Sequence, residues 1–225
     1  MTDGHAQRAV SVVRRLGLTD YRTTWEAMRR FADARVAHAA DEIWLTEHAP
    51  IYTLGLAGRS EHVLRDNGIE RLKVDRGGQV TYHGPGQLVA YTLVDLRRAG
   101  YGIRDMVRRL EGAVIEWLGT HRIAAYGKVD APGVYVAGGA GASGGPPREA
   151  KIAALGLKVR RQGTYHGLAV NVAMDLAPFR DIDPCGYPGL AVTQLADFGT
   201  MRTVEQAGDE LAPILAARLA RQDTT

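Results

Sequence analysis

The sequence predicts one domain in which a β-sheet packs against helices, of the α/β or α+β class. Segments with the apolar spacing of helices alternate with strand-like runs, and short connections join neighbouring runs. The 225 residues suffice for a sizeable core, and 45% hydrophobic with 24% charged residues is typical of a globular chain. No internal repeat divides the chain, so we expect residues 1–225 to form a single domain.

Three segments have the pattern of amphipathic helices. They cover residues 20–40, residues 103–118 and residues from about 203 to 221, and Thr203 is a candidate N-cap for the last. The second helix should cover the sheet. The apolar stripes of the first two consist of Trp25, Met28, Phe31, Ala32 and Val36, and of Ile103, Met106, Val107, Leu110, Val114, Trp117 and Leu118.

Strand-like runs fill most of the remaining chain. EIWLTEH at 42–48 is followed by PIYTLG, and residues 80–96 read as two extended segments joined at 83–86, where Gly and Pro break any helix. Three further runs follow the second helix: PGVYVAG, KIAALGLKVRR and TYHGLAVNVAMDL. The Gly/Pro/Ser tract at 138–149 lies between the first two of these, so we expect a flexible loop and not a domain linker.

The composition limits the compartment and the partners. No stretch approaches the roughly 20 apolar residues that cross a bilayer, and the first residues lack the apolar run of a secretory signal, so we expect a cytoplasmic protein. The formal net charge of +3 is too modest to indicate a nucleic-acid partner. The basic clusters are either solvated faces or docking surfaces: Arg29, Arg30 and Arg35; Arg97, Arg98, Arg104, Arg108 and Arg109; Lys158, Arg160 and Arg161.

Three segments are more specific than their neighbours: RGGQVTYHGPGQ at 76–87, KIAALG at 151–156 with TYHGLAVN at 164–171, and IDPCGYPG at 182–189. Each joins strand-like sequence to Gly or Pro in a way that core packing does not require. The last contains the only cysteine, Cys185, which cannot form an internal disulfide. From composition alone, Cys185 is either a small buried residue or a reactive thiol.

Together these segments resemble the lipoyl (octanoyl) transferase family, which is related to biotin and lipoate protein ligases. The resemblance runs from about Ile43 to Leu195. It implies an α+β fold with a mixed β-sheet flanked by helices, like the catalytic domain of biotin and lipoate protein ligases. It also implies an enzyme that transfers an octanoyl group and needs no cofactor.

The resemblance assigns roles to individual residues. Cys185 matches the cysteine that carries the acyl thioester, and Lys151 matches the lysine that lowers its pKa. Three substrate-binding segments match residues 76–83, 154–156 and 167–169. The implied binding set is Arg76, Gly77, Gly78, Gln79, Val80, Thr81, Tyr82, His83, Ala154, Leu155, Gly156, Gly167, Leu168 and Ala169.

Elementary chemistry is consistent with these roles. A thiol with an ordinary pKa of about 8.5 is only slightly ionised at neutral pH, and a nearby ammonium lowers that pKa by roughly one to three units. Pro184 and Gly186 favour a tight bend that presents the sulfur. Lys151 could accept the proton of an attacking amine, although a lysine that opens a strand is, by itself, usually just solvated.

Other chemistries have weaker support. The glycines of residues 77–86 show neither a Walker pattern nor G-x-G-x-x-G, so loop geometry or the approach of a substrate chain explains them better than phosphate binding. The seven histidines are scattered and Cys185 has no C-x-x-C partner, so we predict no metal. His83 and His166 each occupy a Tyr-His-Gly triplet, where a structural role and a chemical role both stay open.

The resemblance implies an octanoyl donor, acyl carrier protein, and acceptors with a lipoyl domain: the E2 subunits of 2-oxoacid dehydrogenases and the glycine cleavage H protein. We expect a monomer with no membrane partner. Two alternatives remain: an ATP-dependent lipoate or biotin ligase, which would not need Cys185, and a noncatalytic adaptor that binds acyl carrier protein through its arginines. A cysteine hydrolase is disfavoured because no Cys/His/Asn signature occurs.

Overall fold

The computed structural model describes residues 12–139, 148–161 and 163–220, and the side chain of Cys185 lies outside this description. Over these residues the chain forms two β-sheets and four α-helices. The larger sheet is mixed and helices flank it, so the predicted α+β fold is confirmed. No helix within the described ranges is long and apolar enough to span a membrane.

The larger sheet contains seven strands within the described residues. β1 and β2 run parallel, and every other neighbouring pair is antiparallel. In spatial order the strands are β1 (Val12–Thr19), β2 (Glu42–His48), β6 (Gln87–Leu93), β10 (Gly163–Asn171), β9 (Arg148–Arg160), β8 (Gly133–Gly139) and β7 (Ala125–Gly127).

A smaller sheet holds β3 (Ile51–Leu54) between β4 (Glu70–Lys73) and β5 (Val80–His83). The predicted pair of extended segments is therefore correct, but β5 and β6 belong to different sheets. The bend between them is tight at Gly86, which has φ +86°, and a β-carbon there would lie 2.0 Å from the Ala173 carbonyl oxygen. Only glycine fits this position without displacing backbone.

Helices cover both faces of the larger sheet. α1 (Tyr21–Ala34) packs on one face, whereas α3 (Ile103–Thr120) and α4 (Val204–Leu219) pack on the other. A short helix, α2 (Leu96–Ala99), precedes α3. Alternation along β2 shows the division, because Ile43 and Leu45 join the core under α3 and α4 while Trp44 joins the core under α1.

Capping explains where two of the predicted helices begin. The Asp20 side chain accepts a hydrogen bond from the Thr23 backbone N–H at 2.8 Å and so starts α1. Thr203 caps α4 as predicted, in a reciprocal capping box with Gln206.

Two residues of the predicted apolar stripes are exposed. Val36 lies beyond the end of α1 and is 59% exposed, because Arg35 leaves the helix to bond Asp41 and the Leu93 carbonyl. Ile103, in the first turn of α3, is 39% exposed and lines an open cleft described below.

Three short or edge strands were not predicted from the sequence: β1, β4 and β7. In the predicted loop at 138–149, β8 continues to Gly139 and β9 begins at Arg148. The interior of that loop lies outside the described residues.

Candidate active site

A glycine-rich loop, residues 76–79, crosses over strand β9. The Gly77 N–H donates to the Leu157 carbonyl oxygen at 2.9 Å. A β-carbon at Gly156 would lie 3.0 Å from the Gly77 carbonyl oxygen, so glycine permits this crossing. Buried Arg76 fixes the loop by donating to the Thr53 and Gln79 carbonyl oxygens at 2.6 and 2.8 Å.

A narrow cavity of about 40 Å³ lies beneath this loop, between β5, β9 and β10. Twelve of the fourteen predicted binding residues line it, together with Tyr21, Val89, Tyr91 and His166. The two exceptions are Gly77, which faces a neighbouring cleft, and Tyr82, which packs with Tyr52 and Phe179.

A wider cleft of about 380 Å³ adjoins the narrow cavity. Both are lined by Gly78, Gln79, Leu155 and Gly156, so the cavity and the cleft adjoin at these residues. The cleft adds Lys151, Tyr187, residues 130–132 and the first turns of α3 to its walls. We call the narrow cavity the channel of this site and the wider cleft its mouth.

Lys151 is 4% exposed at this mouth and is not a solvated strand residue. Its Nζ donates to the Pro132 carbonyl oxygen at 3.1 Å and lies 5.0 Å from the centre of the Tyr135 ring. A β-carbon at Gly133 would lie 2.7 Å from Lys151 Cε, so the glycine makes room for the lysine side chain. Burial raises the pKa of nearby Glu111, and the Lys151 charge opposes that rise.

The backbone of Cys185 lies in a 3-10 turn, Pro184–Gly186. Gly186 has φ +70°, and a β-carbon there would lie 1.4 Å from Gln79 Oε1, so the turn packs directly on the glycine-rich loop. Tyr187, two residues after Cys185, lines the same cleft as Lys151. The Cys185 backbone and Lys151 are thus at one mouth.

The segment after this turn pairs with the backbone of Lys151. The Lys151 N–H donates to the Ala191 carbonyl oxygen at 2.8 Å, and the Thr193 N–H donates to the Lys151 carbonyl oxygen at 3.0 Å. This pairing extends the contact between the 184–193 segment and β9. The segment that follows the Cys185 turn is therefore hydrogen-bonded through its backbone to Lys151.

The lining of the channel includes a buried polar group, His166. His166 is 1% exposed in β10 with φ +61°, and its Nε2 lies 3.0 Å from Asp75 Oδ1. Asp75 also accepts hydrogen bonds from Trp25 Nε1 and the Tyr165 hydroxyl. Burial by itself raises the pKa of Asp75, but the bonds from His166, Tyr165 and Trp25 outweigh it and hold the pKa well below its usual range.

His83 belongs to a buried hydrogen-bond chain. Its Nδ1 lies 2.7 Å from Gln87 Oε1, and the Gln87 amide donates to Asn171 Oδ1 at 2.9 Å. Asn171 in turn donates to the Thr193 carbonyl oxygen at 2.9 Å. Burial lowers the pKa of His83 to about 3, and the His48 imidazole acts in the same direction, so His83 is neutral at pH 7.

The basic clusters are partly structural. Arg35 and Arg98 both pair with buried Asp41, and Arg160 pairs with Asp33. Among the described residues no group of three His, Cys, Asp or Glu side chains is arranged to hold a metal ion.

A family model described as the lipoyl protein ligase A/B catalytic domain matches residues 20–215. The chain belongs to this family. The match covers α1, every strand of the two sheets except β1, the channel and most of α4, so the family domain includes every part of the site.

Several relatives of this chain are octanoyltransferases. The octanoyltransferase of Laribacter hongkongensis is 54% identical over 209 residues, which are 93% of this chain and 96% of that protein. The octanoyltransferase of Thiobacillus denitrificans is 55% identical over 204 residues, which are 91% of this chain and 88% of that protein. This member of the family is therefore an acyltransferase.

Solved structures share the fold at low identity. A lipoate-protein ligase A bound with ATP superposes with a TM-score of 0.74 at 17% identity, covering 93% of this chain and 85% of the other. A biotin protein ligase from Aquifex aeolicus superposes with a TM-score of 0.53 at 12% identity, covering 93% of this chain and 69% of the ligase chain.

Sequence reasoning missed four groups at the site: Asp75, Tyr21, Tyr91 and Glu111. Asp75 immediately precedes the glycine-rich loop, which was the only available signal. The tyrosines come from α1 and β6, whose periodicity indicates burial but not which cavity a side chain faces.

Proposed function

We propose that this acyltransferase moves an octanoyl group from octanoyl acyl carrier protein to a lysine of a lipoyl domain, through an acyl thioester on Cys185. The octanoyltransferase relatives support octanoyl transfer in protein lipoylation. The observation that carries the finer proposal is the narrow channel whose mouth is bordered by Lys151 and by the turn that contains Cys185.

The first half-reaction is thioester exchange. Lys151 takes the thiol proton, and the Cys185 thiolate attacks the octanoyl carbonyl carbon. The bond from that carbon to the sulfur of acyl carrier protein breaks. The departing thiolate takes the proton back from the Lys151 ammonium, which leaves a neutral amine beside the acyl thioester.

The second half-reaction forms the amide. The amine of the acceptor lysine attacks the thioester carbon, its surplus proton passes to Lys151, and the Cys185 thiolate leaves. The enzyme returns to a thiolate beside an ammonium. Burial of Lys151 suits both steps, because the attraction between two opposite charges is stronger when water is excluded.

The channel would hold the acyl tail. An octanoyl chain has about six methylenes, and at roughly 0.8 kcal/mol for each one buried the tail contributes on the order of 5 kcal/mol to binding. The open volume of this cavity is only about 40 Å³. Such a narrow space suits an unbranched methylene chain, because it leaves no room for branches.

The partners follow from the reaction. We propose acyl carrier protein as donor and, as acceptors, the lipoyl domains of 2-oxoacid dehydrogenase E2 subunits and the glycine cleavage H protein. The enzyme would act as a cytoplasmic, single-domain monomer, with residues 1–225 as one catalytic unit, and without a cofactor.

Intact-mass spectrometry after mixing the protein with octanoyl acyl carrier protein tests the proposal. We expect one octanoyl adduct on the wild-type chain and none on Cys185→Ser, and adding a lipoyl domain should move the octanoyl group to that domain. A Cys185→Ser protein that still transfers octanoate at near wild-type rate would refute the thioester. Octanoylation that requires ATP and passes through an adenylate would instead indicate a ligase.

A further inference from the structure

A buried carboxylate lies in the middle of α3. Glu111 is 8% exposed, and its Oε1 accepts a hydrogen bond from the Gly133 backbone N–H at 2.9 Å. An ionised carboxylate is rarely buried unless an opposite charge compensates it. A glutamine could accept the same hydrogen bond, so the charge of Glu111 needs a separate explanation.

The peptide unit that Glu111 binds is also bound by Lys151. The Gly133 N–H and the Pro132 C=O belong to one peptide unit, and Lys151 Nζ donates to that oxygen at 3.1 Å. The peptide is trans, so its N–H and C=O point in opposite directions. Glu111 and Lys151 therefore hold opposite ends of one peptide dipole, with the anion at the N–H and the cation at the oxygen.

The two charges strengthen each other through this peptide. A hydrogen bond to an ionised group is stronger than one between neutral groups, and hydrogen bonds in series polarise one another. Burial raises the pKa of Glu111, and the Lys151 charge opposes that rise. Because such coupling is reciprocal, the Glu111 carboxylate stabilises the Lys151 ammonium to the same extent.

Two glycines provide the space for this pair of side chains. A β-carbon at Gly133 would lie 2.7 Å from Lys151 Cε, and one at Gly127 would lie 3.0 Å from Glu111 Oε2. A side chain at either position would press on one member of the pair. Strands β7 and β8 therefore enclose both side chains at close range.

Other titratable side chains near Lys151, within the part of the chain that the structure describes, differ from Glu111. Tyr135 on β8 presents an aromatic ring, whose centre lies 5.0 Å from Nζ. Asp130 and Tyr187 line the same cleft but are exposed, so water and salt screen their influence on the lysine. The buried carboxylate of these surroundings is Glu111.

We propose that Glu111 is a positioning residue that holds Lys151 at the mouth through the Pro132–Gly133 peptide unit and supplies the negative charge that favours its ammonium form. In the reaction, Lys151 accepts a proton from the thiol and later from the acceptor amine, and Glu111 favours the protonated lysine at both points. This consequence rests on the proposed function, whereas the coupling between the two side chains does not.

Carbon NMR of the lysine Cε signals measures the coupling directly. The chain has four lysines, so each signal can be assigned by substitution: Lys73, Lys128, Lys151 and Lys158. The titration uses the full-length Cys185→Ser protein, which removes the ionisation of the thiol.

In this background, Glu111→Gln keeps a hydrogen-bond acceptor but removes the charge. We expect it to lower the titration midpoint of Lys151 by about one pH unit, because the ammonium loses its anionic partner. Glu116→Gln, at an exposed position of the same helix, should leave that midpoint unchanged. The Lys128 signal should stay the same in both variants, since Lys128 pairs with Glu149.

Substitution of a buried residue can unfold a protein, so the reciprocal experiment accompanies this one. Lys151→Met in the same background should raise the titration midpoint of the Glu111 carboxyl by a similar amount. Thermal unfolding shows whether each variant is folded. An unchanged Lys151 midpoint in folded Glu111→Gln, or an unchanged Glu111 midpoint in folded Lys151→Met, overturns the proposal.

These outcomes are distinct from those of the octanoylation assay. A shifted Lys151 midpoint in a protein whose wild type transfers no octanoyl group would support the coupling and refute the transferase mechanism. An unchanged midpoint overturns the role of Glu111 even if the wild type transfers octanoate.

Discussion

At the scale of single residues, burial is what distinguishes Lys151 from an ordinary strand lysine. Its Nζ is held by the Pro132 carbonyl and lies near the Tyr135 ring, at the mouth bordered by the Cys185 turn. A charge held at a fixed point can influence one thiol consistently, whereas a solvated lysine would sample many positions.

Replacing Lys151 should therefore change the ionisation of Cys185. We expect Lys151→Ala to raise the apparent thiol pKa by about one unit or more, because the thiolate loses its ammonium neighbour. Lys151→Arg should keep the thiol pKa low but slow transfer to the amine, since a guanidinium cannot accept a proton at neutral pH. The pH profile of alkylation by iodoacetamide measures the first effect.

Lys128 supplies the matched control for this experiment. Its Nζ also lies near the Tyr135 ring, at 4.7 Å, but it is more exposed and pairs with Glu149. Lys128→Ala should leave the alkylation profile of Cys185 unchanged. An unchanged profile in Lys151→Ala as well would mean that the lysine and the thiol are not coupled.

At the scale of elements, the contact between the 3-10 turn and the glycine-rich loop joins the two halves of the mouth. Gly186 and Gly189 have the same φ of +70°, but only Gly186 lies against Gln79, and nothing lies within 4 Å of a β-carbon at Gly189. A substitution at Gly189 therefore tests backbone strain alone, whereas one at Gly186 tests backbone strain together with the contact to the loop.

We expect Gly186→Ala and Gly189→Ala to lose similar stability, about 1 kcal/mol each, from the left-handed backbone. Only Gly186→Ala should also displace Gln79 and lower kcat/KM for acylation, by about tenfold. Adding Gln79→Ala should relieve the clash, so the double variant should match Gln79→Ala alone. Equal acylation rates for the two glycine variants would show that this contact does not position the turn.

The close pairing of β6 with β10 explains why residue 167 is a glycine. A β-carbon at Gly167 would lie 2.0 Å from the Ala90 carbonyl oxygen, so this glycine is required by strand packing irrespective of any acyl chain. A bulky residue at Gly167 would therefore damage the sheet, and loss of activity in such a variant would not identify a binding role.

At the scale of the whole molecule, the channel is built by elements distant in sequence, and its depth should select chain length. We expect a butanoyl donor to raise the donor concentration for half-maximal acylation strongly, because roughly 0.8 kcal/mol is lost for each methylene that is not buried. Alkylation of Cys185 by iodoacetamide in the free enzyme serves as the reactivity baseline. Equal efficiency with butanoyl and octanoyl donors would show that the tail is not enclosed.

The buried histidines should make the fold sensitive to acid. Burial lowers the pKa of His48 to about 4 and of His83 to about 3. The unfolded chain, with histidine pKa values near 6.5, binds these protons first, so the stabilisation present above about pH 6.5 is lost as the pH falls toward 4 and 3. Thermal unfolding midpoints across pH 7 to 4 should decline accordingly.

Replacing His48 alone measures how much of this acid sensitivity comes from that histidine. In His48→Gln the pH dependence of the unfolding free energy should weaken by up to about one proton, or about 1.4 kcal/mol per pH unit. A slope identical to that of the wild type would place the acid sensitivity elsewhere.

The sequence by itself determined the local elements and the types of residue that carry chemistry. The spacing of apolar residues located α1, α3 and α4, and Gly and Pro marked the bend at 83–86, because both signals act over a few neighbouring residues. The three motifs also indicated the acyltransferase family, and the family model and the relatives confirm it.

Only the tertiary structure decided which distant residues meet. Asp75 and His166 are 91 positions apart, and nothing in either segment signals their contact. The burial of Lys151 and the packing of Gly186 on Gln79 likewise depend on how the 184–193 segment joins β9 and the glycine-rich loop. Such contacts arise from the placement of whole elements in space, which local spacing does not encode.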